Sequence, residues 1–153
     1  MSTQLNIHAK KIYHQLSTLE KDLGEFLNNK SVHMIIKNDL NLDKEYVMAI
    51  VKHLRFLEVY CTEGKRALER LMVTEEIQEE VLQKIYQGVY QKCIHEFFSP
   101  KDDLWHEDSR ASYLNKCSIV FQNHPGEDII EVTHIVEPTF HELREQLDFL
   151  EAL

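Results

Sequence analysis

Two segments of this sequence carry an apolar or small residue at every third or fourth position for some two dozen residues. In residues 4–30 the series is Leu5, Ala9, Ile12, Leu16, Leu19, Leu23 and Phe26. In residues 43–71 it is Val47, Ile50, Leu54, Leu57, Cys61, Gly64, Leu68 and Leu71. That alternation follows the 3.6-residue turn of an α-helix and fits no strand, whose period is two. Each segment is therefore a helix of roughly 40 Å, at ~1.5 Å per residue, with one narrow apolar seam. A seam of that kind is stable only when other helices cover it.

The rest of the chain supplies the cover. Val73-Thr74-Glu75-Glu76 reads as the start of a third helix, with Thr74 as N-cap and two acids in the positive first turn. So short a link after Leu71 predicts a helix that folds back antiparallel on the second. Its apolar face runs through Ile77, Val81, Leu82, Ile85, Tyr86, Val89, Cys93 and Phe97. A fourth apolar stripe lies in residues 127–153 at Ile129, Val132, Val136, Phe140, Leu143, Leu147 and Leu150. Pro138 interrupts it, so a kinked helix is expected. A β-branched strand over 129–136 followed by a helix from Pro138 is the alternative.

The connector 31–42 is too apolar at Val32, Met34, Ile35 and Ile36 to hang in solvent, so it reads as a short packed helix or turn. Asn38, Asp39 and Asn41 offer caps for the next helix. Gly64 sits on the second seam, where it costs about 1 kcal/mol relative to Ala; this marks a close approach of helices or a kink. The expected fold is mainly α: one domain spanning 1–153, an antiparallel four-helix bundle with a small β-hairpin or loop insertion, about 99–126, between helices three and four. In that insertion Cys117–Gln122 has strand character and Asn123-His124-Pro125-Gly126 is a turn signal.

Composition narrows function by exclusion. The net charge is −9, and residues 127–153 hold eight acids against one Arg. Phosphate-backbone binding depends on clustered Lys and Arg, so nucleic acid is not the expected partner. No apolar run approaches the ~20 residues of a membrane span, so no membrane is expected either. The N-terminal MSTQLNIHAKKIYHQL has no apolar core of a secretory leader. Three widely spaced cysteines, Cys61, Cys93 and Cys117, suit a reducing cytoplasm better than a disulfide framework.

Metal and catalytic patterns are thin. Glu131-Val-Thr-His134 is one E-x-x-H repeat where a di-iron bundle needs two, and His134 points away from the apolar stripe. His53, His95 and His141 could converge on a mononuclear site, but helix histidines satisfied by neighbours are commoner. The four glycines are scattered, leaving no phosphate-binding loop. Cys61 and Cys93 fall on apolar faces as inert thiols. No metal and no cofactor are expected. Lys52, Arg55, Lys65, Arg66 and Arg70 make the second helix the most basic part of the chain. They form a solvated face laced with acids, or a surface on which the acidic last helix or a partner docks.

One segment differs from all others: Phe97 to Tyr113, FFSPKDDLWHEDSRASY. Ser99-Pro100 stops the third helix. Asp102, Asp103, Glu107 and Asp108 have no calcium-loop spacing, although acids beside His106 could do acid-base work. The structural reading has the acids capping loop amides, Asp108 holding Arg110 in a bidentate pair, and Trp105 with Tyr113 plugging an end of the bundle. Trp105, Glu107, Asp108, Arg110 and Tyr113 are the candidate ligand- or partner-binding residues, because loops on rigid scaffolds carry function disproportionately.

The run from Cys93 to Tyr113, CIHEFFSPKDDLWHEDSRASY, resembles the YpuI-like proteins, a family of small uncharacterised proteins of Gram-positive bacteria. The resemblance implies a cytoplasmic bacterial origin and carries no catalytic role. Two functional classes are compatible with these observations. The first is a non-enzymatic helical interaction or scaffold protein that binds a protein partner or itself, as a homodimer. The second is a small-molecule or metal-dependent enzyme in which Glu107, Asp108 and Arg110 converge on a pocket at the 102–113 loop.

Overall fold

The structure is a computed structural model. It describes the backbone of residues 3–74, 76–113 and 117–152 and the side chains of residues 7–74, 76–111 and 117–152. It is mainly helical, with one small antiparallel sheet. The long helices are α1 (Thr3–Asn29), α3 (Lys44–Met72) and α7 (Glu127–Ala152), with α2 (Val32–Asn38) between the first two. Then α4 (Glu79–Val89) runs through a π-helical segment, Tyr90–Ile94, into α5 (His95–Phe98). The insertion holds a 3-10 turn, Lys101–Asp103, then β1 (Trp105–Glu107), α6 (Ser109–Tyr113) and β2 (Ile119–Phe121).

The two seams are where the spacing puts them. Ala9, Ile12, Leu16, Leu19 and Leu23 are buried on α1, and Val47, Ile50, Leu54, Leu57, Cys61 and Leu68 on α3. Leu5 lies outside the described side chains. Cross-helix contacts give the directions. Glu20 meets Thr62 and Lys65, while Asn28 meets Arg55, so α1 and α3 are antiparallel. Cys61 lies against Cys93 and His53 against Glu96, which sets α3 antiparallel to α4–α5. His8 bonds Gln146 and Lys30 pairs with Asp128, so α7 is antiparallel to α1. Phe97 stacks on Phe140 with ring centroids 4.0 Å apart, joining α5 to α7. Gly64 is a close approach: a Cβ there would lie 2.9 Å from Val89 Cγ2 and 3.3 Å from Leu16 Cδ1.

Three details differ from the sequence reading. Thr74 is not the cap of the third helix. Its hydroxyl bonds the Leu71 and Glu76 carbonyls, finishing α3, and α4 begins at Glu79 without a side-chain cap. The third helix is not one regular α-helix, because the π-helical turn adds a residue of phase. That shift buries Ile94 and Phe98 beside Cys93 and Phe97, a width an unbroken 3-4 pattern would not give. The cap of α3 is Asp43, whose Oδ1 accepts from Tyr46 N at 3.2 Å, rather than Asn38, Asp39 or Asn41. By contrast, the helix expected across Pro138 is present in α7, so the strand alternative for 129–136 falls. Acidic α7 packs along α1, and it is Glu20 of α1 that takes Lys65 from the basic face of α3.

Strands β1 and β2 pair as Trp105 with Phe121, His106 with Val120 and Glu107 with Ile119. The strand expected at 117–122 is therefore real, but its partner precedes α6, so the two are not joined by a tight turn.

Candidate functional site

The insertion begins where α5 runs out of backbone partners. The Phe97 carbonyl, in the last turn of α5, accepts the Trp105 indole N–H at 2.6 Å. The Trp105 ring is buried, with the edges of His53 and Phe121 against it. Next to it, Tyr46 of α3 donates its hydroxyl to the Leu104 carbonyl at 2.5 Å. Burial holds the Tyr46 phenol above its ordinary pKa. The chain reaches Leu104 through Asp102 and Asp103 at φ 65° and 51°, a left-handed region that Asp tolerates better than most residues. So the Trp105 side chain is buried against α3 and β2, with its indole N–H spent on α5. The Tyr113 side chain lies outside the described residues.

The three charged candidates do not converge. Glu107 faces α7 and forms a bidentate pair with Arg144, at 3.0 and 2.7 Å. Asp108 and Arg110 are exposed. The expected Asp108–Arg110 side-chain pair is replaced by a cap: Asp108 Oδ1 accepts from the Arg110 backbone N at 3.0 Å, opening α6. Its carboxylate is turned to that amide, as N-capping requires, and so is not presented to the guanidinium. The three histidines are equally scattered: His53 Nε2 lies 2.7 Å from the Glu96 carbonyl, His95 is exposed, and His141 belongs to a different network.

That network is what sequence reasoning missed. Glu137, His141 and Arg144 occupy positions i, i+4 and i+7 of α7 and so share one face of the helix, turned to the insertion. Arg144 lies 3.8 Å over the Phe98 ring while gripping Glu107. Burial works against its charge and the Glu107 carboxylate outweighs that, so its pKa is raised. Arg144 Nη2 also stands 3.2 Å from His141 Nδ1. A guanidinium can only donate, so Nδ1 is assigned as the acceptor and the ring proton sits on Nε2. From there it reaches Glu137 Oε2 at 2.9 Å. The same oxygen accepts both the backbone N–H and the hydroxyl of Ser118, each at 2.8 Å. The Ser118 carbonyl in turn accepts from Asp108 N at 2.7 Å, closing a loop between the end of β1 and the approach to β2.

Ser118, His141 and Glu137 are the residue types of a nucleophilic triad, but their arrangement is not one. A triad places the acid on one ring nitrogen and the serine on the other. Here Glu137 takes Nε2 itself and the serine hydroxyl as well, Arg144 occupies Nδ1, and Ser118 is wholly buried. The arrangement staples the insertion to α7. One atom is left over: Glu137 is 3% exposed, and its Oε1 has no hydrogen-bond partner among the described residues. Glu137 also lines a groove of about 290 Å³ beside Cys117, His134, Pro138, His141, Glu142 and Glu145. The sequence signal was an acid, a histidine and an arginine at helical spacing alongside the stripe Val136, Phe140, Leu143.

Elsewhere, Cys61 and Cys93 are buried with sulfurs 3.8 Å apart, and the contact with Cys93, then burial, pushes the Cys61 thiol well above its ordinary value. Cys117 is exposed. No helix among the described residues is long and apolar enough to cross a membrane.

Residues 9–153 match the family described as "Protein of unknown function (DUF3907)". Over 137 residues the chain is 32% identical to "Uncharacterized protein YpuI" of Bacillus subtilis (strain 168), covering 90% of this chain and 76% of that protein. No solved structure matches the chain. With a match that takes in both the stapled insertion and the helices that hold it, this chain belongs to the YpuI-like family of uncharacterised proteins.

Proposed function

We propose that this chain is a cytoplasmic, non-enzymatic helical interaction protein: one domain, an antiparallel four-helix bundle, that associates with a second copy of itself. The observation that carries the reading is an uncovered face of α3. Met48 is 49% exposed, Phe56 46% and Val59 42%. Phe56 and Tyr60 stack at 6.3 Å, with the ammonium groups of Lys52 and Lys92 lying 5.8 and 5.6 Å from their rings. An exposed ring stacked on a half-buried one, with a lysine beside each, is a common composition for a protein-binding surface.

The occupant we assign to that face is α7 of another copy. Its outer side carries Glu131, Ile135, Glu142, Glu145 and Phe149 at helical spacing, with Ile135 51% and Phe149 52% exposed. Apolar side chains set among acids complement apolar side chains set among lysines, and a two-fold axis lets each copy offer both faces at once. The antiparallel contacts of α1, α3, α4–α5 and α7 support the bundle arrangement.

Light scattering across a concentration series tests the proposal. The mass should rise from monomer to dimer, and Phe56→Glu, which alters an exposed ring, should hold the protein monomeric with unchanged circular dichroism. A monomer at every concentration overturns it.

A further inference from the structure

The groove on α7 has an electrostatic deficit that its described residues do not make good. Glu107 is neutralised by Arg144, and the His141 tautomer that fits Arg144 brings Glu137 one hydrogen bond and no charge. Among the described residues all three donors to Glu137 fall on Oε2, while Oε1 is buried without any. A carboxylate oxygen held out of water calls for a donor. Around it the groove adds the carboxylates of Glu142 and Glu145, and Pro138 gives an apolar wall.

Three classes of ligand can be compared. An anion would meet three carboxylates. A transition metal would want His141, but both its ring nitrogens are engaged, and the described residues contain no group of three His, Cys, Asp or Glu set to hold an ion. An alkylammonium satisfies every feature. Its N–H groups can reach a lone acceptor, its charge balances the acids, and its methylene stem can lie along Pro138.

We propose that this groove binds a primary alkylammonium group, with Glu137 Oε1 as the anchoring acceptor and Glu142 and Glu145 as the outer charges. The chemistry is shared by a free diamine and by a lysine side chain on a protein surface. Glu142 and Glu145 also lie on the α7 face assigned to the second copy, so an amine and a second copy compete for them, and the test is run at a dilution where the protein is monomeric.

Cys117 reports on it. This thiol lines the groove and is exposed, whereas Cys61 and Cys93 are buried, so a disulfide reagent such as dithiobis(nitrobenzoate) reads Cys117 first. 1,4-Diaminobutane or Nα-acetyl-lysine methylamide, at matched ionic strength and pH, should slow that reaction several-fold; the amine that protects at the lower concentration identifies the source. Tetramethylammonium, with the charge and no N–H, should not protect. Glu137→Gln should abolish protection. If that variant fails to fold by circular dichroism, the double variant Glu142→Gln/Glu145→Gln, altering two exposed side chains, should weaken it. An unchanged rate with both amines, or equal slowing by tetramethylammonium, overturns the proposal and leaves Oε1 a buried acceptor that no amine reaches.

Discussion

Gly64 and Gly88 both lie inside helices, and the structure assigns them opposite roles. A Cβ on Gly64 would press on Val89 and Leu16 at 2.9 and 3.3 Å, whereas at Gly88 nothing lies within 4 Å. Replacing a helix-interior glycine by alanine gains roughly 0.5–1 kcal/mol, and overpacking a tight contact costs about 1–3. Gly88→Ala should therefore stabilise by up to about 1 kcal/mol and Gly64→Ala should destabilise by about that much. Urea midpoints shifting in the same direction for both would contradict this. Tyr86 makes a second test at this scale. Among the described residues its hydroxyl is buried without a partner, and burial pushes its pKa up to about 12. The unfolded chain releases that proton near the ordinary ~10, while the folded chain keeps it. Stability is thus unaffected below pH ~10 and is lost as pH rises from about 10 to 12. Tyr86→Phe should shrink that alkaline loss, leaving the smaller contributions of Tyr46 and Tyr90, whose pKa values burial also raises. At neutral pH it should leave stability unchanged or slightly higher, since an unsatisfied buried hydroxyl is removed. Alkaline limbs of equal depth in the two proteins would count against burial as the cause.

Among the elements, the long helices were legible and the insertion was legible only in pieces. Strict 3-4 spacing marks α1 and α3 because each buries a single stripe, and a stripe is a local pattern. The π-helical turn at Tyr90–Ile94 left a weaker trace, since burying adjacent pairs such as Cys93 with Ile94 blurs any one period. Strand β1 is three residues long and pairs across α6, so nothing within Trp105-His106-Glu107 announces it. One of the contacts that hold the insertion joins Glu107 and Arg144, 37 residues apart, and no spacing rule reaches that far. The pair gives this scale its prediction. Arg144 combines a two-bond fork with stacking on Phe98, and lysine can reproduce neither. Arg144→Lys should cost about 1–2 kcal/mol in urea unfolding despite keeping the charge. It should also raise amide exchange at Ser118, whose N–H is tied to the same network. A substitution neutral on both counts would show that charge alone holds the insertion.

For the molecule as a whole, sequence patterns set which residues are inside but not which helix touches which. Acidic α7 was as plausible against the basic face of α3 as anywhere, yet it packs along α1, because apolar stripes decide neighbours and surface charge does not. Asp108 and Arg110 drew notice by their unusual local company, while Glu137, His141 and Arg144 were hidden among helix residues whose roles depend on a distant Ser118 and Glu107. The packing of α1 between α3 and α7 also bears on how the protein is made. As the ribosome releases the chain, α3 can cover one side of α1 early. The side that meets α7 waits until residues 127–152 have left the exit tunnel, near the end of synthesis of this stretch. Through that interval Ala9, Ile12 and their neighbours are only half protected. A chain interrupted before residue 127 would carry that bare stripe permanently, in a form suited to capture by chaperones or proteases.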